Sequence, residues 1–271
     1  MRDALTSPAN FHESRAVMTK LHQKIAIITG AAGGIGAATA ATFIREGARV
    51  MLVDRDEAAL NRLAKELGPN AAYCVADVAS EDDAQRYVRA TTERFDGVDI
   101  LFANAGIEGT LAPVAALPVE AFDRVLAVNV RGVFLAMKHA IPEIVKRGGG
   151  AILITSSVAG MLGSPGLSAY VTSKHAIIGL AKSAALELAA QNVRVNTIHP
   201  GPIDNRMMRG IEGQLSPGHG EEVKRGFEAQ VPMARYGTNQ EIANLALFLA
   251  SADAGYCTGA MFVADGGFTA H

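Results

Sequence analysis

Tyr170 and Lys174 stand four residues apart in a segment that reads as helix, so both side chains project from one face. A tyrosine is a poor base at neutral pH, because its reference pKa is about 10. An ammonium one helical turn away favours the phenolate and lowers that value. Such a pair can take and return a proton. Ser157 follows a predicted strand, Ala151–Ser156, whose end reads Thr155-Ser156-Ser157. A serine at the carboxyl end of a parallel strand lies in the crevice where open α/β sheets bind ligands. Alone, a Y-x-x-x-K spacing is usually a surface pair, and an isolated serine usually a cap or turn. Their placement together changes that balance.

A second constellation lies near the start of the chain. Ile25 to Gly36 reads I-A-I-I-T-G-A-A-G-G-I-G. The apolar run Ile25–Ile28 has the character of a strand buried on both faces. The turn that follows holds Gly30, Gly33, Gly34 and Gly36, with Ile35 between the last two. Residues without a Cβ let the backbone bend sharply and approach a ligand. The small-residue helix behind the turn aims free N–H groups and a positive dipole end at that point, where an anion is the natural guest. This is a pyrophosphate cradle, although a tight strand-to-helix connection would look similar. Asp54 ends the next strand, about 20 residues on, where dinucleotide folds place an acid on the adenosine ribose. It repels the extra phosphate of NADP. Like charges ~4 Å apart cost ~4 kcal/mol at an effective dielectric near 20, hundreds-fold or more in affinity. Arg55 could pair with a phosphate, but Ala31 and Ala32 supply no base within the turn. NAD is expected over NADP.

These residues need a frame. The chain has 271 residues, 49% hydrophobic and 19% charged, enough for one α/β domain with a full core. A net charge of −2 with interspersed signs gives no electrostatic case for nucleic acid or an anionic membrane. No run approaches the ~18 apolar residues of a spanning helix. Cys74 and Cys257 are far apart and fit no metal spacing, so no metal is expected and a reducing, cytoplasmic setting is the simplest reading. Residues 1–20 are polar with mixed charge and read as a flexible N-terminal extension, or as a start assigned too early, with Met18 a natural beginning. A single domain is expected over 21–271.

Strands are expected at Ile25–Ile28, Ala48–Asp54, Ala71–Val75, Val98–Ala103, Ala151–Ser156, Val193–His199 and Ala260–Ala264. Between them lie helices after Gly36, at Glu57–Leu67, from a Ser80 cap to Phe95, over Pro118–Lys146, Leu167–Ala190 and Asn239–Ser251. Residues 203–232 read as irregular, with short helical pieces. Strand and helix alternating in this way give a Rossmann-type, doubly wound parallel sheet of about seven strands, helices on both faces and right-handed crossovers.

Several ordered motifs on this frame resemble the short-chain dehydrogenase/reductase family. Thr29-Gly30-x-x-x-Gly34-x-Gly36 is similar to its cofactor turn, and Asp77-Val78 to its adenine-contacting pair. Asn104-Ala105-Gly106 resembles its sheet-stabilising N-A-G, and Asn129 its helix asparagine. Ser157, Tyr170 and Lys174 match its serine and Y-x-x-x-K, while Asn196 and Pro200-Gly201 match N-x-x-x-P-G. The match runs from Lys24 to Gly267. It implies Tyr170 as general acid/base, Lys174 on the nicotinamide ribose holding the phenol pKa down, Ser157 on the substrate oxygen, and Asn129 anchoring a water that links Lys174 to solvent. It places Pro200, Gly201, Ile203 and Asn205 beside the nicotinamide. Two residues depart from the family pattern. Asn205 stands where a threonine often contacts the carboxamide, and Ala103 where N-N-A-G has its first asparagine. His199 reads as structural, and His175 as facing away from Lys174.

The resemblance further implies strand order 3-2-1-4-5-6-7, a substrate lid over residues 203–232, and a homotetramer packed through the long helices and the last strand. The expected reaction is NAD-dependent interconversion of a secondary alcohol and its ketone. Val158, Met161, Leu162, Leu167, Met207, Met208 and Ile211 are apolar and suggest a cyclic or hydrophobic substrate. Two alternatives stand beside it. A 3-oxoacyl-carrier-protein reductase would use NADP, against Asp54. A non-catalytic dinucleotide-binding regulator would have no need of Asn129, Ser157, Tyr170 and Lys174 together.

Overall fold

β1 (Ile25–Thr29) is buried along its whole length, and its alternate residues feed two separate cores. Ile25 and Ile27 pack on one face of the sheet, Ala26 and Ile28 on the other. This is the period-2 geometry of a strand covered on both sides. The computed structural model describes residues 19–270; the expected extension over residues 1–20 lies outside them except for Thr19 and Lys20.

Helix and strand then alternate: α1 (Gly34–Arg45), β2 (Arg49–Asp54), α2 (Glu57–Leu67), β3 (Ala71–Val75), α3 (Glu81–Phe95) and β4 (Ile100–Ala103). The second half holds α4 (Val119–Leu126), α5 (Gly132–Lys146), β5 (Gly150–Thr155), α6 (Ser168–Leu188), β6 (Val193–Pro200), α7 (Arg206–Leu215), α8 (Gly220–Gln230), α9 (Asn239–Ala250) and β7 (Met261–Ala264). The sheet is seven-stranded in the order β3-β2-β1-β4-β5-β6-β7, and every neighbouring pair is parallel. One core is closed by α3, α5 and α6, the other by α1, α2 and α9. Each large apolar side chain so buried contributes about 1.5–3 kcal/mol. The chain order reverses between β1 and β4, and the carboxyl ends of the strands open there into a crevice.

The starts of the helices follow their caps. Asp56 accepts from the Ala59 amide at 2.9 Å to begin α2, and Ser80 from the Asp83 amide at 3.3 Å to begin α3. Thr238 and Glu241 form a reciprocal capping box on α9.

The long helical region expected over Pro118–Lys146 is present as Val119–Lys146, with a wide π-type turn at Ala127–Arg131 between α4 and α5. Two expectations are corrected. By length and composition, Val119–Lys146 is apolar enough to cross a membrane, contrary to the reading that no run approaches this. Val133, Leu135, Met137, Ala140 and Ile144 of α5 instead pack into a core of the domain. The region 203–232 is mostly helical, in α7 and α8, rather than irregular. Its glycines weaken the local helix signal, and contacts with the rest of the fold supply the order.

Candidate active site

The cradle forms as its residue types require. Gly30 has φ +67°, and a Cβ there would lie 2.8 Å from the Ala105 Cα. A Cβ on Gly36 would collide with the Gly30 carbonyl oxygen. The glycines thus let β1, the start of α1 and the strand end at Ala105 close on one another. Thr29 Oγ1 accepts from the amides of Asn104 and Ala105, each at 3.1 Å. Asn104 donates to the Thr29 carbonyl at 3.1 Å and accepts from Thr155 Oγ1 at 3.0 Å, tying β1, β4 and β5 together.

Above this floor lies a cleft of about 750 Å³. Gly33, Gly34 and Ile35 line it, and no side chain caps the amino end of α1. The first amides of an α-helix have no internal acceptor, so this end suits an anion. Asp54 and Arg55 line one end of the cleft. The Asp54 carboxylate accepts from the amides of Ala32 at 3.1 Å and Arg55 at 2.7 Å, which fixes it beside the turn. Asp77, Val78, Ala105, Gly106, Pro200, Gly201 and Ile203 line the cleft as well. The cradle, the helix end and the carboxylate together fit a dinucleotide.

Ser157, Tyr170 and Lys174 converge in the same cleft. The β5 end supplies Ser157, whose backbone is extended and whose hydroxyl accepts from the Ala159 amide at 3.1 Å. One face of α6 supplies the other two. Lys174 Nζ donates to the Thr155 carbonyl at 2.7 Å and sits 5.5 Å from the centre of the Tyr170 ring. Burial pulls the Lys174 ammonium down to about 8. Burial also pushes the Tyr170 phenol up to about 12, with Ser157 pulling it back and Glu108 adding to the rise. The lowered phenol expected from the ammonium together with an oxidised nicotinamide is not what the free protein shows, where burial of the phenol dominates.

Two of the expected site residues stand behind the cleft rather than on it. Gly36 is buried under the turn. Asn129 is buried in the wide turn before α5, where it exchanges two hydrogen bonds of 2.9 Å with Ile107 and donates to Ser173 Oγ at 3.0 Å. A Cβ on Gly106 would lie 3.4 Å from Asn129 Oδ1 and 3.5 Å from Lys174 Nζ, so these groups converge on one point. Asn205 lines the cleft, but its side-chain oxygen caps α7 by accepting from the Met207 and Met208 amides at 3.0 and 3.3 Å. Its amide nitrogen donates to Asn239 Oδ1 at 3.5 Å, which leaves one N–H for a carboxamide.

Residues 30–269 match the family model described as Enoyl-(Acyl carrier protein) reductase. A cyclohexanol dehydrogenase of Acinetobacter sp. (strain SE19) is 36% identical over 258 residues, which cover 94% of this chain and 98% of the relative. The chain belongs to the short-chain dehydrogenase/reductase family. It is an NAD(P)-dependent oxidoreductase of CH–OH and C=O groups. The crystal structure of levodione reductase superposes with a TM-score of 0.89 at 36% identity, covering 92% of this chain and 99% of that one. A (+)-borneol dehydrogenase of Salvia officinalis is 34% identical over 278 residues, covering 97% of this chain and 95% of the relative.

Sequence reasoning missed how α7 and α8 meet the site. The Met207 sulfur lies 3.8 Å from the Tyr170 hydroxyl. Phe227, Gln230 and Phe268 complete the cleft wall. Gln214 of α7 accepts from the Leu111 amide at 3.0 Å and donates to the Gly109 carbonyl at 3.2 Å, pinning α7 to the loop after β4. The Met207-Met208 pair was the one available signal; nothing local marks the others.

Proposed function

We propose that the enzyme interconverts a cyclic or hydrophobic secondary alcohol and its ketone, reversibly, with NAD. The observation that carries this reading is the buried Tyr170 phenol, set in the cleft with Ser157 and Lys174 and touched otherwise by a displaceable thioether. A bound nicotinamide supplies or accepts the hydride; the protein orients and polarises. Ser157 donates its hydroxyl proton to the substrate oxygen and so steadies a developing alkoxide. Tyr170 gives that oxygen its proton in reduction and removes it in oxidation. Lys174 holds the ribose and favours the phenolate. Asn129, at the same point as Lys174, positions a water on the path to solvent. Asp54, fixed by backbone amides at the ribose end, selects NAD.

The substrate class follows from the wall and from kinship. Leu162, Leu167, Met207, Met208, Ile211 and Phe227 are apolar, and the relatives named above act on cyclic alcohols or ketones by their names. A homotetramer is proposed as the assembly, since Met261 and Val263 on the edge strand β7 and Leu186 on α6 are exposed. A panel of cyclic and acyclic secondary alcohols, each with NAD and with NADP, tests the reading through absorbance of the reduced cofactor. Turnover with NAD on cyclic alcohols is expected. Preference for NADP would remove the role given to Asp54. Wild type as inert as Tyr170→Phe, both still binding NADH, would remove the catalytic reading.

A further inference from the structure

Behind Ser157 lies a buried imidazole that the acid/base set does not use. His199 sits on β6 just before Pro200 and has no exposed surface. Its Nδ1 is 3.0 Å from the Ser157 carbonyl oxygen, and its Nε2 is 2.8 Å from Thr197 Oγ1. A carbonyl only accepts, so Nδ1 carries the proton. In the neutral ring Nε2 then accepts from the Thr197 hydroxyl, whose other acceptor, the Ala260 carbonyl, is farther away at 3.4 Å. Burial favours that neutral ring, and the Lys174 charge works in the same direction.

The place of this contact in the sheet gives it meaning. The β5–β6 ladder ends with the Ser156 amide donating to the Ile198 carbonyl at 2.8 Å. One residue later the pairing with β6 has run out, and on that side an imidazole takes up the Ser157 carbonyl, which the Gly160 amide of the following turn also reaches at 2.9 Å. Ser157 is therefore held three times, at its carbonyl by His199 and by the Gly160 amide, and at its hydroxyl by the Ala159 amide. We infer that His199 is a positioning residue for Ser157: it extends the sheet's hold by one residue and fixes the direction of the serine hydroxyl in the cleft. This inference rests on the proposed role of Ser157 at the substrate oxygen.

The test is a double-mutant cycle on the full chain, assayed with NAD and the fastest alcohol of the cyclic panel. His199→Phe lowers kcat about tenfold when Ser157 is present, and under about twofold in a Ser157→Ala background. Cofactor Kd stays unchanged, which a general loss of structure would not allow. His199→Asn places an amide donor where Nδ1 was and restores most of kcat; His199→Gln places it where Nε2 was and does not. That pair decides the matter even if the Phe variant fails to fold. Equal losses in both backgrounds, or Asn no better than Gln, overturn the role of His199 alone. A Ser157→Ala enzyme as fast as wild type overturns the reading of Ser157 itself, whatever His199 does.

Discussion

Two tyrosines, Tyr170 in the cleft and Tyr236 outside its lining, are both buried, and the proposed proton transfer falls to the first. Tyr170 and Tyr236 are 7% and 5% exposed, and burial raises both phenols. The difference lies in what each hydroxyl meets. Tyr236 donates to Glu212 Oε1 at 2.9 Å, and that carboxylate, itself buried, also accepts from Arg209 at 2.7 Å. A carboxylate acceptor raises the phenol further and holds its proton in place. Tyr170 rests against the Met207 sulfur, a weak acceptor, with Ser157 pulling its pKa back down and an ammonium beside its ring. Desolvation is common to both. The charge of the partner separates a structural phenol from one that an incoming oxygen can claim.

The largest test of that contrast is removal of each hydroxyl. Tyr170→Phe should lower kcat by about 10²–10⁴ with little change in thermal midpoint, the usual worth of a positioned acid/base. Tyr236→Phe should leave kcat within about twofold, while denaturant unfolding shows a loss of ~1–3 kcal/mol from the carboxylate left short of a donor. Reversed outcomes would dissolve the distinction.

Next in size is the cation. Alcohol oxidation needs the phenolate, so its kcat/KM should rise with pH through an apparent pKa that belongs to the Tyr170–Lys174 pair. Ketone reduction needs the phenol and should fall through the same midpoint. Lys174→Met should move that midpoint upward and weaken NADH binding. A pH profile that does not move would show that the ammonium has no part in the titration.

A smaller effect is expected at the far end of the cleft. Asp54→Asn keeps an acceptor for the Ala32 amide but removes the charge, and should improve kcat/KM with NADP by about tenfold or more. An unchanged ratio of the two cofactors would assign the selection elsewhere. The smallest effect belongs to an exposed ion pair. Arg235 lies 2.7 Å from Glu241 and, with Thr238, holds its carboxyl near 2, below the ordinary 4.5. A depressed carboxylate stabilises the fold above its unfolded pKa, and that stability is lost as pH falls from about 4.5 toward 2. Arg235→Ala should flatten this acid limb slightly in thermal melts at successive pH values and leave turnover alone.

The sheet was legible in the sequence because buried parallel strands are short apolar runs, and because Ser80 marks a helix start between them with its own side chain. Spacing on a helix face showed Tyr170 and Lys174 as a pair, and a strand end put Ser157 in the crevice; that the three meet was implied by the family resemblance. What could not be read there depends on contacts between distant segments. The order in α7 and α8 comes from Asn205 capping one helix, from Gln214 reaching the loop after β4, and from Glu212 meeting Tyr236. The direction of the Tyr170 shift depends on desolvation, which residue spacing does not report. The wide turn at Asn129 is invisible to periodicity, since a single extra residue barely disturbs an apolar pattern.

That turn fixes a length as well as a position. Each residue of an α-helix advances its side chain by about 100° around the axis, and the surplus residue in Ala127–Arg131 inserts a slip of that order between α4 and α5. Asn129 falls inside the slip, while Val133, Met137 and Ile144 beyond it keep their seats in the core. A chain shortened by one residue there could preserve the asparagine's aim or the rotational phase of the helix that follows, but not both.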